Sequence, residues 1–139
     1  MKTACIAAAL TLIATPALAA SPIEGSWTNP RRNVTVRIAP CGDGAYCGRV
    51  TAASAEARAD AAAGGTPRLV GTRLISDLVP TGEGSWRGTI FVPDVNRTAE
   101  AEVRQTGPRS LQIEGCAMRG LLCKSQLWTR VSGPARRRR

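Results

Sequence analysis

Apolar and polar residues alternate along most of this chain with a period of two, the pattern of strands that bury one face and wet the other. Val34, Val36 and Ile38 alternate with Thr35 and Arg37, and Pro40 to Gly44 breaks the run. Residues 46–50, ending at Val50, read as the returning partner, so this stretch predicts a hairpin. The same grammar resumes after Gly71. A strand runs from Arg73 to Val79, a turn covers 80–84, and a strand from Ser85 to Val92 puts Trp86, Ile90 and Val92 on one face. Pro93, Asp94 and Asn96 mark the next break. Ala99, Ala101 and Val103 then alternate with Glu100, Glu102 and Arg104, Gly107-Pro108 turns the chain, Leu111 and Ile113 follow, and 125–131 form the last strand.

One stretch differs in kind. Residues 51–65 are rich in alanine, carry Glu56, Arg58 and Asp60, and end at Gly64-Gly65. Alanine is the best helix former, which predicts a short helix or helical loop laid over one end of the sheet, with low-complexity disorder as the competing reading. About eight short strands with a single interruption predict an all-β fold, an antiparallel meander closing into a barrel or sandwich. Closure protects the edges of so small a sheet. An eight-stranded barrel has room inside for side chains or for one small ligand.

The first residues follow another rule. Lys2 precedes an apolar run from Ala4 to Ala14, and Ala17-Leu18-Ala19 supplies an A-x-A cleavage site. This order predicts a cleavable export signal over 1–19. The run is about half of the roughly 20 residues a membrane-spanning helix needs. Cys5 leaves with the signal. Of 139 residues 19 are removed and 120 remain, enough for one domain with a modest core. We take that domain as 20–132, followed by a basic tail over 133–139.

Charge adds little beyond the tail. The chain carries +9, and loss of Lys2 leaves +8, of which Arg136, Arg137, Arg138 and Arg139 supply half. These arginines offer contact with an anionic envelope surface. Nucleic acid is disfavoured, because the few aromatics sit on core-facing positions rather than on a stacking platform. A monomer is expected.

Four cysteines remain after export, Cys41, Cys47, Cys116 and Cys123, and an oxidising compartment favours disulfides. Three pairings are open. Cys41 with Cys47 and Cys116 with Cys123 is favoured, because each pair brackets a short Gly-containing turn between strands. A four-thiolate zinc site competes, but zinc knuckles separate their cysteines by two to four residues and here the separations are five and six. Neither metal nor cofactor is expected. The chain has no histidine, the side chain best suited to proton transfer near neutral pH. The serines lack a nucleophile-elbow motif, the acids are scattered, and no Gly-rich phosphate loop opens a helix, so the chain is not expected to be an enzyme.

Gly25-Ser26-Trp27, 38–42 (IAPCG), 46–50 (YCGRV), 86–90 (WRGTI), Pro93-Asp94 and 125–130 (SQLWTR) together resemble the exported bacterial family called domain of unknown function 2147. The likeness runs from about Ile23 to Val131. It implies a lipocalin-like β-barrel without an assigned activity, and it transfers no catalytic residue. Lipocalins also place Gly-x-Trp on the first strand and an Arg on the last, which gives Trp27 and Arg130 a structural part in barrel closure. The chain departs from the family at its Ala-rich stretch and at Val95-Asn96-Arg97-Thr98.

Two functions are compatible with this reading. One is a carrier holding a small apolar or amphipathic ligand among Val36, Ile38, Val50, Trp86, Ile90, Val103, Leu111 and Ile113. The other is an envelope structural or interaction module, with a solid barrel that meets an anionic partner through its surface and the Arg tail. Both need the same inward apolar residues, so an enclosed void is what tells them apart.

Overall fold

The computed structural model describes residues 10–13, 23–117, 119–120 and 122–131. Eight strands follow in chain order: β1 (Gly25–Thr28), β2 (Val34–Gly42), β3 (Ala45–Ala53), β4 (Arg73–Gly82), β5 (Ser85–Val92), β6 (Arg97–Gly107), β7 (Ser110–Ala117) and β8 (Leu122–Arg130). Each pairs antiparallel with the next, and β8 returns to β1 to close the barrel. Successive turns therefore lie at opposite ends.

Period-two patterning decides which face is which. Trp27, Val36, Ile38, Val50, Ile75, Leu78, Val103 and Leu111 are all 2% exposed or less and form one cluster, with Trp86 and Trp128 packed into it. No buried residue among those described is polar or charged. The Ala-rich stretch is ordered as α1 (Ala55–Ala63). Ser54 caps it, its hydroxyl accepting from the Ala57 N–H at 3.0 Å. Ala57 and Ala61, one turn apart, bury the helix against the core. The helix end lies on the short 3-10 turn Pro93–Val95 so closely that a Cβ on Gly64 would overlap the Asp94 carbonyl.

Three details differ from the sequence reading. First, Pro40 and Pro80 do not end their strands. β2 continues to Gly42 and β4 to Gly82, with a register shift beside each proline and two-residue loops Asp43-Gly44 and Glu83-Gly84. Proline lacks an N–H, and a bulge is where a strand tolerates that loss. Both hairpins carry the same signal, Pro-x-Gly-acid-Gly followed one residue later by an aromatic, Tyr46 or Trp86. Second, Val92 is 39% exposed, because it ends β5 at the rim opposite Arg97. Third, the barrel closes through a short seam: β1 has four residues, and its ladder with β8 pairs Trp27 with Arg130 and Thr28 with Thr129.

Candidate functional site

The seam where β8 meets β1 gathers the charged groups of interest. Trp27 is fully buried, and its indole N–H donates to the Ile23 carbonyl at 2.9 Å. Arg130 lies opposite it in the ladder, with its guanidinium carbon 4.3 Å from the ring centroid. The same guanidinium donates to the Glu24 carbonyl at 2.9 Å and to the Pro108 carbonyl at 3.2 Å. One planar cation thus ties the lead-in to β1, the β6–β7 turn and the indole face together. Gly25 makes room for it. Its φ of +138° is a glycine conformation, and a Cβ there would lie 2.6 Å from a guanidinium nitrogen of Arg130.

Outside this seam lies an open hollow of about 380 Å³, lined by Thr28, Arg32, Thr35, Arg109, Thr129, Arg130 and Val131. Thr28, Thr35 and Thr129 alternate with the inward Trp27, Val36 and Trp128, so the hollow sits on the outer face of β1, β2 and β8. Arg32 is presented by a tight turn. Asn29 accepts from the N–H groups of Asn33 and Val34 at 3.0 and 3.1 Å, its carbonyl accepts from the Arg32 N–H at 2.9 Å, and Arg32 takes a left-handed φ of 55°. Arg109 donates to the Arg130 carbonyl at 3.2 Å. Arg32, Arg109 and Arg130 are among the residues that line this hollow.

The barrel interior behaves as a core. Val36, Ile38, Val50, Trp86, Val103, Leu111 and Ile113 are buried together, and Ile90 packs half-buried against them. A Cβ on Gly48 would lie 2.8 Å from Val36 Cγ1 and 3.2 Å from Ile75 Cβ, and one on Gly115 would meet Ile90 Cγ2 at 3.3 Å. Side chains occupy even the space above the inward glycines. A smaller hollow of about 80 Å³ lies among Glu102, Arg104, Gln112 and Glu114, beside an exposed Arg104–Glu102 ion pair of 3.1 Å.

The cysteines form two bonds, Cys41–Cys47 with Cα atoms 5.6 Å apart and Cys116–Cys123 with Cα atoms 4.1 Å apart. One pair sits by the β2–β3 turn and the other by the β7–β8 turn, at opposite ends of the meander, so the four sulfurs are not one metal site. Glu114 lies close to Cys116 and Cys123, but sulfurs joined in a disulfide are not the thiolates a metal takes.

Sequence reasoning placed Trp27 and Arg130 and missed Arg32 and Arg109. These two lie far from each other and from Arg130 in the chain, and only closure of β8 on β1 brings all three to one hollow. The expected export signal lies outside the described residues except for 10–13, and Arg136 to Arg139 lie outside them altogether.

The chain folds as a closed antiparallel β-barrel of eight strands, a lipocalin-like fold. In sequence, residues 25–130 match the family described as "Uncharacterized protein conserved in bacteria (DUF2147)", and the chain belongs to that family. Among solved structures it is similar to protein HP1028 from Helicobacter pylori, which is described as belonging to the lipocalin family. The TM-score is 0.62 at 16% identity, over 80% of this chain and 84% of that one. No curated protein sequence matches. No helix among the described residues is long and apolar enough to cross a membrane.

Proposed function

We propose that this protein is an exported, non-enzymatic binding module that acts from the outside of a filled barrel, taking an anionic group of an envelope partner in the arginine-lined hollow at the seam. The observation that carries this reading is the convergence of Arg32, Arg109 and Arg130 on one hollow with three threonines. Guanidinium stays charged at any physiological pH and presents planar donor pairs that match carboxylate and phosphate oxygens. Clustered like charges attract an anion from a distance and weaken with salt. The packing over Gly48 and Gly115 argues against a cavity for an apolar ligand. Two disulfides and the A-x-A site of the N-terminal segment support export.

The test is cosedimentation with vesicles of phosphatidylglycerol and phosphatidylcholine at low salt. The Arg32→Ala/Arg109→Ala double variant is expected to lose most binding, whereas deletion of 136–139 removes only the tail's share. Unchanged binding by the double variant overturns the seam site. Native mass spectrometry of protein purified from its own host separates the carrier: a retained apolar ligand would return the function to the interior.

A further inference from the structure

We propose that two copies of this chain pair edge to edge through β8. The inference does not depend on the anionic site. It starts from the shortness of the ladder that closes the barrel. The Val131 N–H donates to the Ser26 carbonyl on the β1 side, whereas the Arg130 N–H donates to Arg109 on the β7 side. By the same alternation the backbone groups of Cys123, Ser125 and Leu127 point toward the β1 side, but the β1 ladder ends at Thr129. Among the described residues no strand lies beside that edge. It extends over Leu122–Leu127, roughly 20 Å at the usual rise per residue.

Sheets normally defend such an edge with bulges, prolines or several charges. This one has few of those defences. The β7–β8 ladder runs from Ser110–Thr129 to Ala117–Leu122 without a register shift, and the Cys116–Cys123 bond fastens its far end. Lys124 is the single charged residue of the segment, and Leu122 and Leu127 are 60% and 54% exposed.

A second copy fits this edge because the sequence is compatible with itself in reverse. Antiparallel pairing about a two-fold axis at Ser125 sets Ser125 against Ser125 and Lys124 against Gln126, so no like charges face each other. Leu127 then lies against Cys123. The exposed Leu127 gains a neighbour, and the open backbone groups of Cys123, Ser125 and Leu127 complete a two-stranded ladder. Such an interface is isologous, as a two-fold dimer requires. Two six-residue edges form a small interface, so association is weak and depends on concentration.

Sedimentation equilibrium of the wild-type protein over a concentration series is expected to show conversion from one chain to two. Ser125→Cys places a thiol on the axis and is expected to give a covalent dimer under mild oxidation, whereas Thr51→Cys, exposed on β3, is not. Ser125→Pro removes an N–H that points to the open edge, so it is expected to abolish the dimer and keep a cooperative thermal transition. A single-chain mass at every concentration overturns the proposal, and so does equal cross-linking at both cysteine positions. If the proline variant does not fold, the cross-linking comparison decides alone.

Discussion

Arg130 and Trp27 face each other across the ladder that closes the barrel, with the guanidinium carbon 4.3 Å from the centre of the indole. The seam between β1 and β8 is short, so these residues carry much of the closure. Arg130→Ala removes the stacked cation and two hydrogen bonds to main-chain carbonyls, an expected loss of about 2–4 kcal/mol. Arg130→Lys keeps the charge but not the planar fork, so it should recover only part. Urea denaturation of the three proteins checks this, and equal stability of the alanine variant and the wild type would deny the seam its role.

Gly25 tests the same contact from the other side. At φ +138° an alanine is strained, and its Cβ would also press on the guanidinium of Arg130. Gly25→Ala is therefore expected to destabilise by about 1–3 kcal/mol. The two causes separate in a double-mutant cycle. In an Arg130→Ala background the clash is gone and the backbone strain remains, so the alanine should cost measurably less there. Identical costs in both backgrounds would mean that Arg130 does not occupy that space.

These residues show what was legible in the chain and what was not. Period-two alternation placed the strands, because one face of each is buried and the other is wet. Alanine content suggested the helix but left disorder open, and the Ser54 cap and the buried Ala57–Ala61 stripe that fix it went unread. Pro40 and Pro80 misled, since a proline at a bulge looks in sequence like a proline in a turn. The seam pair was visible only through family likeness. Arg32 and Arg109 were invisible, because their proximity is a product of barrel closure and no local pattern encodes it. The short β1 leaves no signature either, as its four residues could have belonged to a longer strand.

The packing of the inner barrel wall is tested at Gly48. Val36 and Ile75 already fill the space a methyl group would take. Gly48→Ala is expected to cost about 1–3 kcal/mol through overpacking, and Val36→Ala in the same chain should relieve part of it by clearing Cγ1. A loosely packed wall would accept the methyl without penalty. Thermal melts of the two single variants and the double variant distinguish the cases.

The two disulfides close loops of nearly equal length, with cysteines 6 and 7 residues apart, so the chain-entropy model gives each a similar contribution of about 2 kcal/mol. Their local effects should differ. Cys47 lies on β3, which pairs with both β2 and β4, whereas Cys41 lies on β2 past Ile38, where the β1 ladder has ended. Cys123 lies on the part of β8 that only β7 supports. With both Cys116 and Cys123 replaced by alanine, the β8 end loses its one covalent tie, and the N–H groups that face β7 there, those of Leu122, Lys124 and Gln126, are expected to exchange much faster with solvent. The Cys41→Ala/Cys47→Ala protein should show a similar drop in global stability but little added exchange in β3. Hydrogen exchange read by NMR reports both, and equal local opening in the two variants would mean that β8 is supported on its open side in solution. At concentrations where two copies pair, that support is expected to return and slow the exchange again, which ties this measurement to the sedimentation series.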